Sequence, residues 1–291
     1  MKMKEEISLL KYSNTNTYLI EGESGAILFD TGWAGTFPAF CAELGRLGKR
    51  LDNIDHVVIS HFHPDHYGIA QEIADKGPVI LACDVQKEYL HAADAVFEKD
   101  KRMRFFPIRD DKVKLISLAE SRGVLAGLGI DGELLHTPGH SDDSISLWLD
   151  EGSLFVGDLN PLYELELHKG TEIGKSWERL LALDPKTVYY GHAKTAVLDT
   201  AEKGKGSLPG TRTKAGRIRV SDEPEKDNDR SKWYDLVADI MKYIDKGWQL
   251  ERIARKTGAD PGFVEDVTRM YLTHTNVGVQ GILDRIEIKN K

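Results

Sequence analysis

A chain of 291 residues, 41% hydrophobic and 30% charged, is long enough for a sizeable core and ordinary in composition for a soluble globular protein. Its net charge of −8 gathers in residues 1–199, where 32 Asp and Glu face 21 Lys and Arg, and an acidic body argues against nucleic acid as the main partner. No apolar run approaches the roughly 20 residues that span a bilayer, and the N-terminus lacks the apolar core of a signal peptide. Cys41 and Cys83 form neither a disulfide framework nor a metal-spaced pair, so no membrane partner is expected and the default address is cytoplasmic.

Residues 7–30 read as strand, turn and strand, closing on Asp30-Thr31-Gly32. Residues 37–47 read as a helix stopped by Gly48. The β-branched run Asn53 to Ser60 reads as a buried strand, and it ends in Ser60-His61-Phe62-His63-Pro64-Asp65-His66. Histidine is otherwise scarce, ten in the whole chain, and imidazole with carboxylate suits divalent zinc, iron or manganese. Ligand sets of open α/β layers gather at the carboxyl ends of strands, as here. Pro64 disfavours helical geometry at His63 and suits a tight loop, with a short helix predicted over residues 69–74. A strand over residues 79–82 follows, then a charged helical stretch over 84–104 and a less regular excursion to about residue 122.

From residue 123 strands return. One runs through Glu133 to His136 into Thr137-Pro138-Gly139-His140, and two more cover 144–149 and 153–156, the second ending at Gly157-Asp158. A helix over 173–183 leads to a strand over 187–190 that ends at Gly191-His192. His140, Asp158 and His192 each follow a glycine at a strand end. Singly this is turn chemistry; together they supply what a second metal, or the closure of the first, needs. Pro138 and Gly139 keep His136 off any helical face shared with His140, and His56, His91, His168 and His274 lack motif context.

Residues 200–228 read as a basic linker, in which Lys203, Lys205, Arg212, Lys214, Arg217 and Arg219 could reach an anionic substrate group. Residues 229–291 read as a helical module, with Trp233, Leu236, Ile240 and Tyr243 as its core stripe. Within it, 250–264 resembles a helix-turn-helix. The following segment carries Glu265 and Asp266 against Arg269, a poor composition for reading DNA, so a lid or a homo-oligomer contact is the better expectation.

The order His-x-His-x-Asp-His, Thr-Pro-Gly-His, Gly-Asp, Gly-His resembles the metallo-β-lactamase-fold hydrolase superfamily, over roughly residues 7–195, in its glyoxalase II or lactonase-like branch. The resemblance implies an α/β fold, an αββα four-layer sandwich occupying residues 1–199, with a C-terminal helical extension. It implies two divalent transition-metal ions, zinc first, with iron or manganese compatible. His61, His63 and His140 would hold one, Asp65, His66 and His192 the other, and Asp158 would bridge them. Asp30 matches a carboxylate that orients ligands. A bridging hydroxide would attack an ester, thioester or lactone of a small molecule, with Asp65 orienting it and passing a proton to the leaving group. A phosphodiester is the alternative substrate, and a metal sensor with a DNA-binding tail the alternative from another class. His63 stands where flavodiiron members keep glutamate, which argues against oxygen or NO reduction.

Overall fold

Short strands that alternate large apolar side chains on both faces can only be covered on both sides. In the computed structural model, which describes residues 5–92, 94–98, 104–198 and 228–273 with Val279 and Ile282, two sheets solve this together. The first runs in spatial order β1 (Glu6–Leu10), β2 (Thr17–Glu21), β3 (Ala26–Phe29), β4 (His56–Val58), β5 (Val79–Cys83) and β6 (Val113–Ile116). Its first three strands form an antiparallel meander, and β3 to β6 are parallel. The second runs β11 (Ala196–Val197), β10 (Thr187–Tyr189), β9 (Ser153–Phe155), β8 (Ile145–Leu149) and β7 (Gly132–His136), with only β9 and β10 parallel.

Side-chain parity sorts the core into layers. Ile20, Ile27, Phe29, Val58 and Leu81 of the first sheet meet Leu134, Ile145, Leu147 and Phe155 of the second. Their neighbours Leu19, Leu28, Val57 and Ile80 point the other way, onto Phe40 and Leu44 of α1 (Phe37–Arg46) and Ile73 of α3 (Ala70–Ala74). On the far side Trp148, Leu154 and Val188 pack against Trp177 and Leu180 of α6 (Glu172–Leu181). The order helix, sheet, sheet, helix is the expected αββα sandwich.

Three local expectations change. Pro64 opens a one-turn helix, α2 (Pro64–Tyr67), because proline's fixed φ suits a first helical position, while His63 before it stays extended at φ −78, ψ 149. The stretch from residue 84 is a 3-10 turn (Asp84–Tyr89) and a short α4 (Asp94–Glu98), not one helix. The excursion before residue 122 holds β6 and the start of α5 (Leu118–Gly127), which Ser117 and Glu120 open with reciprocal side-chain bonds.

The chain divides into two compact units, Met1–Thr213 and Lys214–Lys291. The second holds α7 (Asn228–Asp245), α8 (Leu250–Thr257) and α9 (Pro261–Thr273), around Val237, Ile240, Ile253, Val264 and Val267. Gly258, at φ +71, ends α8 in the left-handed turn that glycine takes most readily. Trp233 departs from the predicted core stripe: it is 44% exposed and leans on Phe263. The basic segment 203–219 and His274 lie outside the described residues. No helix among the described residues is long and apolar enough to cross a membrane.

Candidate metal centre

Five strand ends converge. β3 ends at Asp30, β4 leads into His61 and His63, β7 into the turn bearing His140, β9 into Asp158 and β10 into His192. Asp65 and His66 lie on α2. Carboxyl ends of strands leave backbone groups unpaired and side chains free to turn over the sheet edge. The structure brings all seven sequence-predicted ligands together in overlapping groups: His61, His63 and His140; His61, His66 and Asp158; Asp65, His66 and His192. Within each group the ligand atoms lie within 4.8 Å of one another. Asp158 Oδ1 is 3.4 Å from both His66 Nε2 and His192 Nε2, and Asp158 Oδ2 is 3.8 Å from His140 Nε2. Asp65 Oδ2 is 2.9 Å from His192 Nε2. His140 Nε2 and His63 Nδ1 face each other at 3.0 Å.

Other contacts aim these rings. Asp30, buried and at φ +63, accepts hydrogen bonds from Ser60 N at 2.7 Å and Ser60 Oγ at 2.9 Å, and its Oδ2 lies 2.9 Å from His66 Nδ1. Ser60 Oγ also lies 3.0 Å from His61 Nδ1. The turn between β1 and β2 reaches the second group. Thr15 Oγ1 donates to Asp65 O at 2.6 Å, the His192 Nδ1 lies 3.0 Å from Asn14 O, and Asn16 Nδ2 donates to Tyr190 O and Ala193 O. Gly191 leaves no room for a side chain: a Cβ there would lie 2.7 Å from Asp158 Oδ1 and 2.9 Å from His66 Cε1. Sequence reasoning flagged Asp30 and missed Ser60 and Thr15, which act through hydroxyls, and Asn14, which acts through its backbone carbonyl; all three read as turn residues until the loops meet.

The remaining described histidines stay outside these groups. His136 Nε2 lies 2.7 Å from Asp142 O, His91 sits between Asp94 and Asp110, and His168 stands 3.8 Å from Glu164. His56 lies on β4, and burial lowers its pKa.

The electrostatics of the cluster suit a cation. Burial and the neighbouring His66, His63 and His140 rings push the His61 pKa well below the usual histidine value, leaving a neutral nitrogen donor. Burial alone would drive His66 neutral too, yet Asp30, Asp158 and Asp65 hold its pKa well above the usual value. Burial opposes the Asp158 charge, and His192, His66 and His140 outweigh it, keeping the carboxyl well below the ordinary range. Three buried carboxylates thus collect positive charge at one point. His61 Nε2, His66 Nε2 and Asp158 Oδ1 are buried and make no hydrogen bond, and the equally buried Asp65 Oδ2 and His192 Nε2 face each other at 2.9 Å. Buried polar atoms without hydrogen bonds are costly, and their convergence on one cluster fits a divalent ion bound by nitrogen and oxygen.

An αββα sandwich with a His and Asp cluster over its strand ends defines a class of metal-binding protein. The sequence model of the metallo-beta-lactamase superfamily matches residues 11–192, and the chain belongs to that superfamily. It is 31% identical over 193 residues to the Beta-lactamase-like protein 2 homolog of Drosophila melanogaster, covering 64% of this chain and 60% of that protein. The protein of the same name from Caenorhabditis elegans is 29% identical over 191 residues, covering 61% and 55%. The chain therefore spans less than two thirds of the length of these relatives. The Atrochrysone carboxyl ACP thioesterase of Emericella nidulans is 28% identical over 150 residues, 50% of this chain and 39% of that one. Among solved structures, a Thermotoga maritima protein of the metallo-beta-lactamase kind matches in fold with a TM-score of 0.51 at 17% identity, covering 67% of this chain and all of that one.

Proposed function

We propose that this chain is a dinuclear metal-dependent hydrolase acting on an ester, thioester or lactone carbonyl of a small molecule. The observation that carries the reading is the convergence of seven His and Asp side chains in three overlapping groups whose ligand atoms lie within 4.8 Å of one another. His61, His63 and His140 would hold one ion, Asp65, His66 and His192 the other, with Asp158 between them; zinc suits this nitrogen and oxygen set first. Bound divalent ions supply Lewis acidity towards a carbonyl oxygen and lower the pKa of water into the neutral range.

The chain's own residues do the rest. Burial keeps His61 neutral, so its lone pair is available at neutral pH. Asp30 fixes the ring of His66 through Nδ1, and the Asn14 carbonyl fixes His192 through its Nδ1, which leaves both Nε2 atoms turned to the site. The Asp65 carboxylate, through the oxygen not engaged as a ligand, would take the proton of the attacking water and return it to the leaving oxygen or sulfur as the acyl bond breaks. Thr15 anchors the backbone of Asp65 during this exchange. The thioesterase name borne by one relative supports placing acyl substrates ahead of phosphodiesters.

The test is a panel of lactones, thioesters and phosphodiesters assayed with metal-loaded protein whose metal content has been measured. Close to two transition-metal equivalents per chain with acyl hydrolysis is expected. Protein that takes up no metal would sink the site, and turnover confined to phosphodiesters would reassign the substrate.

A further inference from the structure

Two buried side chains outside the ligand groups tie the loops of the first group together. Asp143 is 2% exposed, and its Oδ2 accepts the Phe62 backbone N–H at 2.7 Å, midway between His61 and His63. Phe62 turns its ring away, against Tyr67 at 5.6 Å, into the helix-side core. Fixing the Phe62 N–H therefore fixes the chain on which both imidazoles hang. Asp143 also stands three residues after His140, in a turn closed by Ser141 and Ser144. Gln86 is fully buried and braces the same junction. Its Nε2 donates to Ile59 O at 2.9 Å and to Asp143 O at 3.2 Å, while its Oε1 accepts from Cys83 N. Ile145 N donates to Ser60 O at 2.8 Å alongside.

We infer that Asp143 is a positioning residue for the ion held by His61, His63 and His140, acting through the Phe62 N–H, with Gln86 as its brace. The inference rests on the dinuclear reading above. Charge explains the residue choice. A carboxylate accepting a backbone N–H makes a stronger, shorter bond than a neutral acceptor, and a buried one holds it without competition from water. The bond joins two loops 81 residues apart, each bearing ligands to one ion. No contact of this bond reaches Asp65 or His192, which depend on Thr15 and Asn14 instead. Ser60 and Asp30 touch both halves, at His61 and His66, but the Asp143 bond joins only loops of the first group, so disturbing it should weaken that ion.

The test is calorimetric titration of chelator-stripped full-length protein with zinc. Native protein should bind in two steps, with His140→Ala removing the first-group step and His192→Ala the other. Asp143→Ala should weaken by about 10- to 100-fold the step that His140→Ala removes and leave the other unchanged, as removal of groups that orient metal ligands does. Asp143→Asn, which keeps an acceptor without the charge, should fall between. A merely structural role would lower the melting temperature and leave the two steps alike. Native-like binding by Asp143→Ala, or equal weakening of both steps, overturns the assignment. If Asp143→Ala does not fold, Asp143→Asn decides by the same criterion, and failure of both to fold makes Asp143 a folding residue and overturns it. Native protein binding fewer than two ions removes the dinuclear reading before any variant is compared.

Discussion

Asp158 touches both halves of the cluster, 3.4 Å from His66 and His192 through one oxygen and 3.8 Å from His140 through the other. Replacing it with Ala should abolish hydrolysis while the circular dichroism spectrum stays native; retained turnover would remove its bridging role. Gly191 constrains the same spot from behind. Gly191→Ala would drive a methyl against Asp158 Oδ1 and His66 Cε1, an intrusion costing about 1–3 kcal/mol because two tightly held side chains must shift. Zinc affinity should fall more than tenfold by equilibrium dialysis, and an unchanged affinity would show that the loop yields freely. The candidate ligands were legible in the sequence because they gather at strand-end signals: β-branched residues before the His61–His66 cluster, Pro-Gly before His140, and glycine before Asp158 and His192. Asp143 and Gln86 were not. The contacts that give them meaning, to Phe62 and Ile59, span 81 and 27 residues, and alone they look like any surface Asp or Gln.

Among the elements, α6 covers the outer face of the second sheet largely through Trp177, which is fully buried and donates its indole N–H to Asn160 O at 2.8 Å. Trp177→Ala should cost about 3–5 kcal/mol in chemical denaturation, read as a drop in midpoint at constant slope. The segment around α4 is held differently. His91 lies 3.1 Å from both Asp110 and Asp94, and these hydrogen bonds, Asp110 first, raise its pKa against the opposing effect of burial. A histidine whose folded pKa exceeds the unfolded value near 6.5 contributes fully below that value, and its contribution fades as pH rises through the folded pKa. The melting-temperature gap between native protein and His91→Ala should therefore narrow from pH 5.5 to pH 8.5, roughly. Because the ring is largely exposed, the effect stays below about 1 kcal/mol, and a gap that widens would contradict the sign. α5 shows where pattern reading fell short. Its helical moment is masked by a mixed face, yet the Ser117 and Glu120 pair marked its start in plain sight.

For the whole molecule, the proposed ions would be held by buried side chains from strand ends throughout the first unit, so their binding should be linked to its folding. Zinc at about 100 times its Kd should add about 2.7 kcal/mol per site to stability. Chelation should lower the melting temperature of the native protein and leave a His61→Ala, Asp158→Ala double variant little changed; equal shifts in both would point to effects unrelated to this site. Most strands were legible from their residue pattern and turn positions, whereas the two-sheet architecture came from the resemblance that the His and Asp motifs carry. The division into two units falls at residue 213, within the stretch 200–228 that the sequence reads as a linker, and most of that stretch lies outside the described residues.

The turn between β1 and β2 has a consequence in time. Asn14, Asn16 and, at the start of β2, Tyr18 bond to Tyr190, His192 and Ala193, which are made 172 to 178 positions after them. Contacts of such separation form late, after the loop between them has closed. At synthesis rates of roughly 5–20 residues per second, the N-terminal hairpin waits on the order of ten seconds or more for its partner. The centre is thus completed only when nearly the entire first unit has left the ribosome, and a chain halted before His192 carries most of the ligands without the strand end that would lock them.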